Sequence, residues 1–410
     1  MATLRPFRAL RPQPADAASV AAVPYDVVTT DEARAQASGN PLSFLRVSRA
    51  ELELPPGTDP YADEVYHRAV QNFERLKKDA LLVEDDTSLY FYRLQSGDHQ
   101  QTGLAGCFSL DEYDRDIIRK HERTRRDKED DRTRHMLALG AQTGPVFMVY
   151  RSSAAIDGVA SRVTGEVPLY DFVAADGVRH TLWRVANGDR DELAAAFTSV
   201  PALYIADGHH RAASAARARH DIRDRAITRT SMGDGADYTT FLGVAFPHDQ
   251  AKILAYNRIV RDLGAMSAGD FMRSLGERFD VTAGPATPRT RGDIAMYFKG
   301  AWHTLRTRTR PAASDPIGTL DVSILHGQLL EPVLKIGDIR TDKRIDFVGG
   351  ARGTAELERL VDSGSAAVAF SLFPVDIGDL MDVSDAGEIM PPKSTWFEPK
   401  LRDGLLIHLI

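Results

Sequence analysis

Cysteine and lysine are scarce in this chain of 410 residues. Cys107 is the single cysteine, so no disulfide can form within the chain and no set of cysteines is available to hold zinc. It stands in the apolar stretch Ala105–Phe108, and we expect it to be a small buried hydrophobic side chain. The basic residues divide into 41 arginines and 10 lysines, so each lysine is more informative than an arginine.

Long apolar runs and an excess of positive charge are also missing. Ala366–Phe370 is among the longest apolar runs, whereas a membrane-spanning helix needs about 20 residues. No apolar run near the N-terminus resembles a signal peptide. The net charge is −7 and the pI is near 6.0, which disfavours nucleic acid and anionic membranes as partners. We therefore expect a cytoplasmic protein.

The composition is that of an ordinary globular protein, with 43% hydrophobic and 27% charged residues. Short strands and helices are mixed along the chain, and hairpins are frequent; one is predicted to turn at Asp176-Gly177. These patterns predict a mixed α/β (α+β) fold rather than a purely parallel sheet. From the length we expect two to three domains, and we divide the chain into an N-terminal α/β region (1–110), a core (111–260) and a C-terminal domain (261–410).

The strongest local signal is a polar loop between a predicted strand, Val200–Ala206, and an alanine-rich helix. A glycine turn at the start of a helix presents free backbone N–H groups, and the helix dipole favours an anion there. Arginine can clamp a phosphate with two donors, histidine adds donors, and aspartate can hold a metal ion or take a proton. The loop supplies all of these in Asp207, Gly208, His209, His210 and Arg211.

Two other interpretations of this loop stay open. One is an ordinary strand-to-helix loop with polar caps. The other is a transition-metal site built on His209 and His210, although no further ligand follows at an obvious spacing.

A second polar segment reads His121-Glu122-Arg123-Thr124. It is not the zinc-protease pattern, because that pattern needs histidine at position 125, where this chain has arginine. Glu122 is a candidate general base in a polar pocket. The alternative is the charged start of a helix.

A third segment, Pro391-Pro392-Lys393-Ser394-Thr395, imitates the end of a phosphate-binding P-loop. Proline stands where that loop requires glycine before the lysine, so a P-loop is excluded. Lys393 with two hydroxyl groups can still bind a carboxylate or a phosphate, and a solvated loop is the alternative. Asn257 and Arg258 are weaker candidates for polar contacts.

Five segments together resemble one bacterial family over nearly the whole chain, the family labelled domain of unknown function 1015. They are Val23–Val27, His121–Thr124 with Lys128 and Asp131-Arg132, Ala206–Arg211, Arg344–Gly353, and Met390–Thr395. This family in turn resembles the ParB/sulfiredoxin superfamily, whose members bind nucleotide at a glycine-containing loop that ends in arginine before a helix. The resemblance implies a ParB/sulfiredoxin-like nucleotide-binding core with additional N-terminal and C-terminal α/β regions.

Among functionally understood relatives, the chain resembles the archaeal ADP-dependent free serine kinase. The resemblance implies transfer of a phosphoryl group from Mg²⁺-bound ATP or ADP to the hydroxyl of free L-serine or a similar compound. By the same resemblance, Glu122 deprotonates that hydroxyl, and Asp207 assists catalysis and places Mg²⁺. Gly208, His209, His210 and Arg211 hold the phosphates, while Lys393, Ser394 and Thr395 bind the amino acid.

The chain departs from this kinase in two places, and the second departure puts the acceptor in question. Lys120 precedes His121 where the kinase has proline, and Trp396-Phe397 follows Thr395 where the kinase has Arg-His. The alternative function is a ParB-like regulator that binds or hydrolyses nucleotide without kinase activity. A sulfiredoxin-like redox role is disfavoured, because that chemistry needs a cysteine in the phosphate loop and Cys107 is remote in sequence.

Overall fold

Strands and helices are mixed along the whole chain, which confirms the predicted α/β class. The computed structural model describes residues 2–84, 86–228, 237–309, 311–312 and 314–410. These residues form two units: Met1–Ala251 with Pro399–Ile410, and Lys252–Glu398. None of the described helices is both long enough and apolar enough to span a bilayer.

The strands are, in chain order, β1 (Leu4–Arg5), β2 (Ala9–Pro12), β3 (Leu81–Val83), β4 (Tyr90–Ser96), β5 (His99–Ser109), β6 (Ile118–Arg119), β7 (Ala141–Gln142), β8 (Val146–Tyr150), β9 (Tyr170–Val173), β10 (Arg179–Arg184), β11 (Leu203–Asp207), β12 (Thr240–Pro247), β13 (Ile253–Leu254), β14 (Tyr256–Val260), β15 (Phe279–Ala283), β16 (Asp293–Phe298), β17 (Ala301–Thr307), β18 (Ile345–Gly349), β19 (Val368–Ser371), β20 (Trp396–Phe397) and β21 (Ile407–Leu409).

The α-helices are α1 (Ala17–Val20), α2 (Thr30–Ala37), α3 (Leu45–Ser48), α4 (Asp63–Asp79), α5 (Leu110–Asp114), α6 (Arg126–Leu139), α7 (Ala154–Val163), α8 (Asn187–Phe197), α9 (His209–Thr228), α10 (Ala268–Arg278), α11 (Asp321–Leu325), α12 (Gly353–Asp362) and α13 (Ile377–Asp385). Short 3₁₀ segments cover Ala50–Glu53 and Gly350–Arg352, and a π-helical segment covers His326–Leu330.

The large sheet of the first unit has the strand order β6-β11-β8-β12-β5-β4-β10-β9, and β1 pairs with β5. β8 and β12 run parallel to each other, and every residue of both strands is buried. Burial on both faces explains why these strands read as continuous apolar runs rather than alternating ones. Cys107 lies on β5 and is 1% exposed, which confirms its predicted place in the core.

Helix α9 packs its small side chains into the core of this sheet. Ala212, Ala215 and Ala218 recur every three residues and are at most 2% exposed. Alanine has the highest helix propensity, and its single methyl group lets a helix backbone approach its neighbours closely. The helix thereby packs against β8 and β12.

A smaller sheet in the same unit has the order β3-β2-β21-β7. The last strand of the chain, β21, pairs with β2 near the N-terminus and with β7 in the middle of the chain. This pairing brings the segment Pro399–Ile410 into the first unit.

The second unit holds a sheet of order β15-β17-β16-β19-β14-β18 and the short pair β13-β20. Helix α10 begins after Ser267, whose hydroxyl accepts the Asp270 N–H at 3.1 Å, as expected for an N-cap. The predicted boundary near residue 260 lies close to the start of this unit. The predicted boundary at residue 110 lies inside the first unit, because β4 and β5 pair with β10 and β12 in one sheet.

Buried histidines are expected to make the first unit sensitive to acid. His180 is an example: its Nε2 accepts from the Arg402 Nε at 3.1 Å, its Nδ1 lies 2.8 Å from the Tyr92 hydroxyl, and burial together with Arg402 lowers its pKa to about 3. The pKa is lowered in the same direction, mainly by burial, for His121, His135, His209 and His408.

Below pH 6.5 these histidines therefore bind protons in the unfolded chain but stay neutral in the folded chain. Their contribution to the free energy of unfolding is fully present above pH 6.5 and is lost as the pH falls toward 4. Asp403, whose pKa burial raises to about 7, and Asp157, whose pKa burial also raises, act in the opposite direction but are two groups against five. We expect the free energy of unfolding to drop by about 2–5 kcal/mol between pH 7 and pH 5, read from urea unfolding curves. Equal urea midpoints at the two pH values would contradict this prediction.

Candidate functional site

The polar loop lies between a buried strand and a helix, as the sequence predicts. β11 ends at Asp207, its pairing with β8 is irregular between Ile205 and Asp207, and α9 begins at His209. Gly208 between them has a φ of +94°, and a Cβ there would lie 2.9 Å from the Arg211 Nε. Both the left-handed backbone and the close guanidinium require glycine. The first N–H groups of α9, which have no partner inside the helix, follow directly.

Glu122 reaches this loop because of a short parallel pairing. β6 runs parallel to β11, with Ile118 opposite Leu203 and Arg119 opposite Tyr204. Parallel strands end at the same edge of a sheet, so the residues after β6 emerge beside the residues after β11. The ligand atoms of His121, Glu122 and His209 consequently all lie within 4.8 Å of one another.

The two histidines of this group are buried and neutral. The rings of His121 and His209 meet edge to face, with centroids 4.5 Å apart. Burial lowers the pKa of His121 to about 4, against the raising effect of a hydrogen bond to the Ile205 carbonyl. Burial and the neighbouring His121 hold the pKa of His209 well below its usual range. Neither ring carries a charge at neutral pH.

His210 connects the segment after Glu122 with the start of α9. Its Nε2 accepts the backbone N–H of Arg125 at 3.0 Å. The chain after Glu122 is therefore fastened to the first turn of α9.

Asp207 forms an ion pair that the sequence did not indicate. Its Oδ2 accepts from the Lys400 Nζ at 3.0 Å, and its Oδ1 lies 3.8 Å from an Arg211 nitrogen. Burial opposes ionisation of Asp207, but Lys400 and Arg211 outweigh it and hold the pKa of this carboxyl well below its usual range. Asp207 is thus a carboxylate at neutral pH.

These contacts bear on the Mg²⁺ ion that the resemblance implies for Asp207. Mg²⁺ needs free oxygen ligands, while both oxygens of Asp207 face cations. Asp207 alone does not fit a resident Mg²⁺. We derive no catalytic step through such an ion.

Arg211 is buried beside the loop. It is 9% exposed, and its Nη1 donates to the Pro145 carbonyl. With Tyr25, Arg132 and Asp403 it lines a cavity of about 40 Å³. Such a volume holds about three water molecules and is far too small for a nucleotide. In this conformation Arg211 anchors the loop, and its phosphate-binding role stays a prediction.

Lys393, Ser394 and Thr395 belong to the second unit. Lys393 has a φ of +60°, which is unusual for a residue other than glycine. The buried Arg258 donates to the Lys393 carbonyl at 2.9 Å, and the Ser394 hydroxyl donates to the Pro391 carbonyl at 2.5 Å. The Lys393 Nζ lies 5.7 Å from the centre of the Tyr256 ring. Arg258, a weak candidate from the sequence, therefore supports this turn.

Comparisons with known proteins place the chain in a family. A search among curated proteins finds no match. The family profile described as "Protein of unknown function (DUF1015)" matches residues 4–323. The chain belongs to the DUF1015 family.

Solved structures give distant similarities to this DUF1015 protein. Free serine kinase in complex with AMP is 12% identical with a TM-score of 0.37, over 73% of this chain and 91% of that chain. A conserved hypothetical protein from Pyrococcus furiosus is 13% identical with a TM-score of 0.36, over 74% of this chain and 95% of that chain. SbnI with a C-terminal truncation, from Staphylococcus aureus, is 13% identical with a TM-score of 0.38, over 74% of this chain and 87% of that chain.

Sequence reasoning about this DUF1015 protein missed Lys400, which lies 193 positions from its partner Asp207. One signal pointed to it, namely the scarcity of lysine, since the chain has 10 lysines among 51 basic residues. The segments around Tyr25 and Arg132 carried the family resemblance without an assigned role. The structure brings Tyr25 and Arg132 into contact, with the guanidinium 4.2 Å from the centre of the ring.

Proposed function

We propose that this DUF1015 protein is a small-molecule kinase that transfers a phosphoryl group from ATP or ADP to the hydroxyl of free L-serine or a similar compound. The observation that carries the proposal is the meeting of Glu122 with the loop that precedes α9, from two segments 85 residues apart or more. Phosphoryl transfer needs little covalent work from a protein. It needs an aligned hydroxyl, a base and groups that stabilise the charge of the phosphoryl oxygens.

In this proposal, side chains and backbone N–H groups around the start of α9 meet these requirements. The Glu122 carboxylate accepts the proton of the acceptor hydroxyl as that oxygen attacks the terminal phosphorus. The N–H groups at the start of α9 and the side chain of His210 donate to phosphate oxygens. Asp207, kept ionised by Lys400, holds the Lys400 ammonium group at the loop, where the positive charge favours phosphate.

Direct product detection tests this proposal. The purified full chain is incubated with Mg²⁺, L-serine and either ATP or ADP, and phosphoserine is measured by mass spectrometry. Phosphoserine that appears with one donor and is absent with Glu122→Gln supports the kinase. Nucleotide binding with no phosphorylated product from serine or from a panel of related hydroxyl compounds overturns it and favours the ParB-like regulator.

Lys393 offers a separate prediction about the acceptor. Asparagine tolerates the left-handed backbone of this turn but carries no charge. If Lys393 binds the acceptor carboxylate, Lys393→Asn raises the KM for the acceptor by about 10–100-fold, the value of one charged hydrogen bond. Steady-state kinetics with saturating nucleotide measure this change.

Lys299 provides the matched control, since it is also a lysine with a positive φ, of 49°, in the same unit. Lys299→Asn should leave the KM for the acceptor within about twofold, because a surface substitution away from a site has little effect. Equal KM values for the two variants would remove Lys393 from the substrate site.

A further inference from the structure

Two imidazole rings and one carboxylate form a donor set, of which the proposed phosphoryl transfer uses only the carboxylate. The donor atoms of His121, Glu122 and His209 all lie within 4.8 Å of one another. Two histidines with one carboxylate are the protein ligands of many catalytic zinc sites and of non-haem iron sites. The sequence lacked a further ligand at an obvious spacing from His209, and the pairing of β6 with β11 supplies two of them.

The His209 ring is the clearest sign of a missing ligand. It is 7% exposed, and its Nε2 has no hydrogen-bond partner within the part of the chain that the structure describes. A buried polar atom without a partner destabilises a protein by about 1–3 kcal/mol. A ligand on this nitrogen removes that cost.

His121 has the kind of second contact that metal-binding histidines show. It is 2% exposed, and its ring forms a hydrogen bond with the backbone carbonyl of Ile205. In metal sites such a bond through one ring nitrogen fixes the tautomer and turns the other nitrogen towards the metal. The ring is therefore held in place before any ion binds.

The spacing of the donors is within reach of a metal ion. Zinc lies about 2.0–2.2 Å from nitrogen and oxygen ligands, which places neighbouring donors about 3.3 Å apart in a tetrahedron. Glu122 is only partly buried and stands on a loop after a two-residue strand, so its carboxylate can close the remaining distance.

We propose that His121, Glu122 and His209 bind one first-row transition metal ion of the zinc class at the start of α9. Mg²⁺ is the wrong ion for this donor set, because it prefers oxygen ligands and binds imidazole poorly. The proposal stands on the donor geometry and does not depend on the kinase activity. In a chain that is also a kinase, a metal bound by Glu122 occupies the lone pairs of the base, so Zn²⁺ inhibits phosphoryl transfer.

Titration of the full chain with Co²⁺ alone tests the site, with no nucleotide or acceptor present. Visible absorption reports the ligand field, and metal analysis after gel filtration reports the stoichiometry. We expect one Co²⁺ per chain, displaced by Zn²⁺ and not by excess Mg²⁺. His209→Asn and His121→Asn should each weaken Co²⁺ binding by about 10–100-fold or more.

His220→Asn is the matched control, because His220 is exposed on the same helix and lies outside the donor set. It should bind Co²⁺ like the unaltered chain. Circular dichroism checks that each variant is folded, and Glu122→Gln, on the partly exposed loop, serves if a buried histidine variant does not fold. Absence of Co²⁺ binding by the folded chain, or equal binding by the unaltered, His209→Asn and Glu122→Gln proteins, overturns the proposal. A negative kinase assay has no bearing on it.

Discussion

Replacing Glu122 with glutamine is expected to lower the rate of phosphoryl transfer by about 10²–10⁴-fold, the usual contribution of a positioned general base. Glutamine has nearly the same shape as glutamate, but its amide cannot take the proton of the acceptor hydroxyl. Because Glu122 is on a loop and only partly buried, the fold should survive the change. Single-turnover kinetics with saturating nucleotide and acceptor measure the rate of the chemical step.

Two further measurements separate loss of the base from loss of the site. Nucleotide affinity should stay within about threefold, because binding of the nucleotide before the reaction does not depend on the proton acceptor. Glu129→Gln is the matched control, because its carboxylate contacts Thr124 and Arg217 rather than the His121–His209 group. A Glu122→Gln protein that keeps more than about a third of the rate would exclude Glu122 as the base.

The strand–loop–helix unit is the part of the site that the sequence predicts best. An apolar run before Asp207 and an alanine-rich stretch after Arg211 are local patterns, and the structure has β11 and α9 at these places. Gly208 carries its own signal, since a polar turn between such elements often needs a left-handed residue. Local sequence patterns are sufficient to predict this strand, this loop and this helix.

The position of Glu122 could not be derived from local patterns. It depends on β6, a strand of two residues that has no detectable periodicity. Only the family resemblance connected Glu122 with the loop, and the parallel pairing of β6 with β11 gives the physical reason for their proximity. Short strands at the edge of a sheet are selected by tertiary packing, which overrides weak sequence propensity.

The N-terminal region shows the same limit on a larger scale. The predicted boundary at residue 110 directly follows β4 and β5, which lie in the middle of the large sheet. Pairing partners such as β5 and β12 are more than 100 residues apart along the chain. Hydrophobic pattern predicts that such strands exist but does not tell which strands pair.

Replacing Lys400 with methionine is expected to have the second large effect. Lys400 is the nearest cation to Asp207, at 3.0 Å, and its side chain is 14% exposed. Removing Lys400 leaves the partly buried Asp207 carboxylate with only the more distant Arg211, so we expect the free energy of unfolding to fall by about 1–3 kcal/mol. Phosphoryl transfer should fall by about 10²-fold or more, because the charge that faces the phosphates is lost. Urea unfolding and single-turnover kinetics measure the two effects.

A second pair of variants distinguishes a role in the reaction from a role in the fold. Asp207→Asn combined with Lys400→Met removes both charges, so stability should recover by about 1–3 kcal/mol while activity does not. Lys400→Arg keeps the charge and should retain most of both. In Lys400→Met the pKa of Asp207 must rise, because the cation that lowered it is gone. A stable double variant with full activity would leave Lys400 and Asp207 as a structural pair.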